Sequence, residues 1–445
     1  MRLRLLKLWE GARASYWFIP SLMTIGAVAL SYALVQVDAR ATGLTERLGW
    51  IYSGGPEGAR AVLSVVAGSV MSTAGVTFSI TIAALSLASG QFGPRILHNF
   101  MRDTGNQVVL GTFIATFIYC LLVLRTVRGG ESVGRYVPHL SVTVGVVLGL
   151  ASLGVLIYFI HHVSMSIQAP NVVAAVAHDL HSHIEHVFPE RVGGEPGPGR
   201  EAEVQAALPA GFEERAAPVA SGHDAYLQAI DQERLMRVAV EHDLLLRVET
   251  RPGAFVLRGG RLLSVWPPER CDDRVGKRLH AAFIFGAQRT HTQDVEFAVD
   301  QLVEIAVRAL SPGINDPFTA MNCLDRLGAA LCHFAGREAP SPLRLDDGGK
   351  LRVVVESRVT FAGMVDASFN QIRQYGRSSA SVTVRILETI ARVMPCAPGE
   401  EERAALLRQA EMTARGARDA IPEPQDREDV EQRWRAVQRA ADAGG

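Results

Sequence analysis

Two stripes of hydroxyl groups run along one apolar segment. In "VMSTAGVTFSITIAALSLASGQFGPRIL", residues 70–97, Ser72, Ser79 and Ser86 recur every seventh position and Thr73, Thr77 and Thr81 every fourth. On a helix turning about 100° per residue each set forms one stripe, and the two stripes lie about 120° or more apart. Such groups can line a hydrated path, replacing part of an ion's water shell. Alternatively, they bond to neighbouring helices and to their own i−4 carbonyls, while Gly68 and Gly75 permit close backbone approach. In that packing reading the helix sits centrally among its neighbours. Gln91, Pro94 and Arg95 close the segment. Pro94 lacks an N–H and biases Gly93 away from helical geometry, so the helix ends or bends there. Arg95 reads as a snorkelling anchor to lipid headgroups in preference to a gate charge or an anion contact.

Histidines mark a second stretch. His161, His162, His178, His181, His183 and His186 follow the last long apolar run. If "VVAAVAHDLHSHIEH" is a helix, His178 and His181 share a face, and Asp179, His183 and His186 form another cluster at helical spacing. Imidazole and carboxylate so spaced can hold a transition metal or titrate near neutral pH. A solvated helix explains them more simply, and no H-E-x-x-H motif is present. No metal and no cofactor are therefore expected, with His178, Asp179, His183 and His186 as the weak candidates.

The third stretch is "RTHTQDVEFAVDQLVEIAVRALSPGINDPFTAMNCLDRL", residues 289–327. Val295, Ala298, Leu302, Ile305, Ala306 and Ala309 form the apolar stripe of a helix. Asp316 before Pro317 is a strong helix start: an N-cap acceptor, then a proline whose missing N–H costs nothing at the first position. Arg289, Thr290, Gln293 and Asp294 at one end, with Asn315 and Asp316 at the other, are the candidate cytoplasmic site. A helix of about sixteen residues keeps those ends about 24 Å apart, so only another helix or subunit could join them. A well-capped helical corner is the simpler reading. With no G-x-S-x-G elbow, P-loop, Rossmann fingerprint or metalloprotease motif, no enzyme is expected.

What must position these residues is mostly membrane. Four stretches, residues 16–37, 61–89, 107–124 and 140–160, are long enough as helices to cross a hydrocarbon core of about 30 Å. Tyr16, Trp17, Tyr32, Tyr119, Tyr136 and Tyr158 lie near their ends, where amphipathic rings favour headgroups. Arg2, Arg4, Lys7 and Arg13 precede an apolar run too long for a signal peptide, and three more spans follow. The basic amino terminus places it inside, and an even number of crossings puts the carboxy-terminal part in the cytoplasm too. The fold expected is a membrane α-helical bundle of four transmembrane helices, followed by a cytoplasmic α+β region with a small β-sandwich-like element and a helical block.

The expected boundaries are a transmembrane domain over 1–165, a juxtamembrane helix and linker over 166–222, a small β-rich barrel-sandwich-like element over 223–268, a helical cytoplasmic domain over 269–396, and charged C-terminal helices over 397–445. The linker is dense in Gly, Pro, Ala and acids. "AYLQAI" and "LLLRVETRPGAFVLRGGRLLSVW" alternate as short strands, with Pro252-Gly253 and Gly259-Gly260 as turns. The element resembles the small sandwich of lipoyl and biotinyl carrier domains, but no lysine occupies a hairpin tip. Later helices are expected near 361–375, 380–394, 400–418 and 425–441; the last two, charged and Ala-rich, read as solvated or assembly helices, the final one frayed at its end.

The 445 residues suit two or more domains, and 48% hydrophobic content is high beside 20% charged residues. A net charge of −1 offers no footprint for nucleic acid. Five scattered cysteines have neither zinc spacing nor the even count of a disulfide framework, so reduced thiols facing the cytoplasm are expected.

"FSITIAALSLASGQFGPRILHNFMRD", "LGTFIATFIYCLLVLRTV" and the block from Arg289 to Leu327 together resemble a widespread family of bacterial predicted membrane proteins, the domain-of-unknown-function family numbered twenty-two fifty-four. The resemblance spans nearly the whole chain and implies an inner-membrane helical bundle with a cytoplasmic carboxy-terminal region. It implies no activity and no catalytic residue. Within those blocks Ser79, Gln91, Pro94, Arg95, Asp103, Arg289, Thr290, Gln293, Asp294, Asn315, Asp316 and Pro317 stand out, and Ala298 occupies a position where glycine is expected. The functional expectation is an oligomeric ion channel or transport-like pore in the lipid bilayer, a homo-oligomer with a cytoplasmic regulatory domain. The alternative is a non-transporting scaffold or sensor whose cytoplasmic part binds a ligand or protein.

Overall fold

The computed structural model describes residues 17–40, 51–94, 103–129, 136–188, 208–337, 341–397 and 399–442. The chain separates into two units, Met1–Asn171 and Val172–Gly445.

In the first unit, four helices among the described residues are long and apolar enough to cross a membrane: α1 (Phe18–Arg40), α2 (Pro56–Phe92), α3 (Thr104–Thr126) and α4 (His139–Ser166). Each extends past the carboxy-terminal end of the apolar run that marks it in the sequence. Pro56 opens α2 at the position where no N–H is needed, and Gly93, at φ 107°, closes it by donating its N–H to the Ser89 carbonyl. Asp103 caps α3, its carboxylate accepting from the Gly105 N–H at 2.8 Å. The start of α4 is capped from another helix: Asp38, at the end of α1, accepts from the backbone N–H of Leu140 (3.0 Å) and Ser141 (2.9 Å) and from the Ser141 hydroxyl (2.6 Å).

The centre of this bundle is α3, not α2. Half of the apolar window of α3 is buried, against 28% for α2 and α4 and 17% for α1. Tyr119 and Cys120 on α3 pack with Leu63 of α2, Val142 of α4 and Ala27 of α1, and the Tyr119 hydroxyl donates to the Ser141 carbonyl at 2.9 Å. The many hydroxyls of α2 suggest a central helix; the structure shows that most of them face outward. At 37 residues α2 is also about 55 Å long, well beyond the thickness of a hydrocarbon core.

The second unit begins within α5 (Ala169–Val187). A single helical turn, α6 (Phe212–Arg215), leads into β1 (Ala217–Ala220), β2 (Ala225–Ile230), α7 (Gln232–Glu241), β3 (Leu245–Val248), β4 (Phe255–Val256), β5 (Arg261–Trp266), α8 (Asp273–His280) and β6 (Phe283–Gly286). Then come α9 (Val295–Ala309), α10 (Pro317–Ala335), β7 (Leu343–Leu345), β8 (Leu351–Val355), α11 (Phe361–Gly376), α12 (Ala380–Val393), α13 (Glu400–Ala420) and α14 (Pro424–Asp442). The strands do not make a barrel-sandwich confined to 223–268. One sheet has the order β1-β5-β3-β8-β7, with β3 and β8 parallel; the other has the order β4-β2-β6. Strands from before residue 223 and from the expected helical block join them, because the backbone edges of β3, β5 and β2 would otherwise go unpaired. Leu227, Leu235, Leu244, Leu246, Leu262, Leu263 and Leu279 fill the core around these sheets.

The last two helices are not mere solvated appendages. Buried Ala405, Leu406, Ala410, Ala414 and Ala417 pack α13 against α11, and Val430 and Val437 of α14 are buried, with α14 packed on α12. An alanine stripe buries a face without the large apolar side chains that make periodicity obvious in the sequence.

Candidate functional site

The two hydroxyl stripes of α2 have different surroundings. Ser72, Ser79 and Ser86 are exposed on the outer face of the bundle, and a Cβ placed at Gly68 or Gly75 would meet nothing within 4 Å. Thr77 is only 2% exposed, while Thr73 and Thr81 are half-buried. Thr73, Ser79 and Thr81 each donate to the carbonyl four residues back, at 2.9 Å. A hydroxyl whose proton is used in this way leaves its oxygen lone pairs for an outside donor or cation. Gln91 is exposed one residue before the helix ends, and Arg95 lies outside the described residues.

Beside the inward stripe is a cavity of about 230 Å³, between the later half of α2 and the adjacent ends of α3 and α4. Phe78, Leu85, Val163 and Ile167 make its walls apolar, and Thr81, Asn106 and Ser166 reach into its lining. Nearby, His162 Nε2 lies 2.6 Å from Asp103 Oδ2, so the residue capping α3 also ties that end to α4. The sequence marks Asp103 and His162 separately but gives neither their pairing nor the capping role of Asp38. Both acids sit at span ends, and their partners are far along the chain.

The residues of the 289–327 block separate by role. Arg289 grips Asp294 with Nε (2.7 Å) and Nη2 (3.0 Å) and reaches Asp300 with Nη1 (2.6 Å). Asp294, 3% exposed, also caps α9 by accepting from the Phe297 N–H. These carboxylates hold the Arg289 guanidinium above its ordinary pKa, against the opposing effect of its burial. Gln293 pairs with the backbone of Ile230 in β2 through both ends of its amide, accepting at 2.9 Å and donating at 3.2 Å, as a neighbouring strand would. Thr290 is half-buried beside them. At the other end, Asn315 adopts the left-handed conformation (φ 52°), and Asp316 caps α10 through the Thr319 N–H (3.1 Å) and hydroxyl (2.5 Å). The two groups flank the 15-residue α9, about 22 Å long.

The histidines also divide. His183 Nδ1 lies 2.6 Å from the Asp179 carbonyl oxygen, and its ring packs near His291. His178 and His186 are exposed. The close cluster on α5 is instead His181 with Glu185, completed by His333 of α10. The i, i+4 spacing of His181 and Glu185 is visible in the sequence; His333, far along the chain, is not.

Four apolar helices followed by a unit of helices and small mixed sheets, among the described residues, define a class of architecture. The chain belongs to the DUF2254 family, described as predicted membrane proteins, which it matches over residues 13–392. It is 30% identical over 423 residues to uncharacterized proteins of Mycobacterium bovis and of two strains of Mycobacterium tuberculosis, covering 93% of this chain and 78% of each relative. No solved structure matches it.

Proposed function

We propose that this protein is an oligomeric channel of the bacterial plasma membrane, in which α2 helices of several copies surround a shared axis. The observation that carries this reading is the outward row of Gly68, Ser72, Gly75, Ser79 and Ser86 on a helix otherwise apolar enough for lipid. Facing acyl chains, these hydroxyls would find no partner beyond the carbonyls of their own helix, as Ser79 finds in Gly75. Facing the same row on other copies, they would bound a narrow polar path, with lone pairs available to a cation. The basic amino terminus and the even number of candidate spans favour both termini in the cytoplasm. The second unit would then be a cytoplasmic regulatory domain, and no catalytic step is part of this reading.

The alternative is a non-transporting scaffold or sensor with an oligomeric membrane part. Gly68 and Gly75 favour it, since small residues in one row also suit direct backbone contact between copies. Liposome ion flux, combined with cysteine scanning of residues 70–89, separates the two. A channel conducts, and cysteines at 72, 79 and 86 react with water-soluble thiol reagents while one at 77 stays inert. A scaffold crosslinks through 72 and 79 without reacting and without flux. Failure of the serine-row positions to react or to crosslink overturns both.

A further inference from the structure

We propose that His181, Glu185 and His333 form a binding site for a divalent transition metal of the zinc or cobalt type, independent of any transport function. His181 and Glu185 stand one helical turn apart on α5, and His333 comes from α10. Their donor atoms all lie within 4.8 Å of one another. Glu185 Oε1 is 3.6 Å from His181 Nε2 and 3.8 Å from His333 Nε2. A tetrahedral ion with bonds of about 2.0–2.2 Å sets its donors about 3.3–3.6 Å apart, so these separations need only a small closure.

The rings of His181 and His333 stack at 3.8 Å between centroids and must splay for the in-plane lone pairs of both to meet one ion. Arg337 Nη2 approaches His333 Nε2 at 3.5 Å. The same Nη2 lies 3.3 Å from Glu185 Oε1, so a bound ion takes the place of this guanidinium at both donors. Arg337 also reaches the Phe188 carbonyl, which keeps it a partner when an ion takes Glu185. Two imidazoles and one carboxylate leave a coordination position for water, and the mixed N/O donor set suits zinc, cobalt or nickel better than calcium or magnesium. Bound there, the ion would clamp α5 to α10.

The test uses the full chain in detergent, stripped with chelator and titrated with Co²⁺ alone, read by visible d–d absorption. One Co²⁺ per chain is expected, with a tetrahedral spectrum. His181→Ala, Glu185→Gln and His333→Ala should each weaken binding by at least about tenfold, a loss usual even for outer-sphere partners. The double variant His178→Ala/His186→Ala should bind as the wild type does. Zn²⁺ should raise the melting temperature of the wild type but not of the trio variants, whose metal-free melting temperatures should match the wild type because all three side chains are partly exposed. A featureless Co²⁺ spectrum in the wild type, or equal affinity in a His181→Ala/His333→Ala variant, overturns the proposal.

Discussion

In the first unit Leu22, Ile25, Val65, Leu150 and Ile157 are between 61% and 67% exposed, while Asp38, Thr77, Thr116, Ser141 and Ser152 are buried. In the second unit Leu246, Leu262, Leu302 and Leu387 are fully or almost fully buried, and charged groups cover the outside in ion-paired clusters. Arg352, for example, joins Asp346 at 2.7 Å and Asp243 at 2.6 Å, and Asp243 also holds Lys350 and Arg270. The contrast is one of solvent. A bundle that turns large apolar side chains outward is stable where the surroundings are hydrocarbon, and its internal hydrogen bonds then hold the helices in register. The second unit is organised by burying apolar surface from water.

Breaking the second unit's buried ion pair is expected to have the largest effect. Asp294→Ala removes the cap of α9 and strips Arg289 of its two-point partner, costing about 3–5 kcal/mol in denaturant or thermal unfolding. A loss below about 1 kcal/mol would show that this unit does not depend on the pair. In the first unit, Asp38→Ala leaves two backbone N–H groups of α4 without their acceptor and should cost about 2 kcal/mol, read as a lower melting temperature in detergent. Gln293→Ala opens the strand-like pairing with Ile230 and should cost about 1–2 kcal/mol.

Acid sharpens the comparison. Arg352 holds Asp346, and Arg247 holds Glu213, below the ordinary carboxylate range. A depressed carboxylate stabilises the fold above its unfolded pKa of about 4, and that contribution is lost as pH falls through the lower folded value. Melting of the second unit, followed by a probe within it, should therefore drop modestly below about pH 4. The smallest expected effect on stability is that of Ser72→Leu, Ser79→Leu and Ser86→Leu combined. Their side chains point away from the bundle, so unfolding of the single chain should move by less than about 0.5 kcal/mol.

Much of this was legible along the chain. The four apolar runs, the Asp316-Pro317 helix start, the "AYLQAI" strand and helices at 361–376 and 380–393 appear where composition and periodicity put them, because each depends on neighbours within a few residues. The capping role of Asp316 was equally local. Which helix is central, which hydroxyl stripe faces out and which residues gather around Glu185 were not readable, since they depend on partners such as Ser141 for Asp38, Ile230 for Gln293 and His333 for His181. A repeat along one helix places side chains on a common face but carries no information about what that face meets. Only packing decided that Thr77 is enclosed and Ser79 is not, two residues apart on one turn of α2.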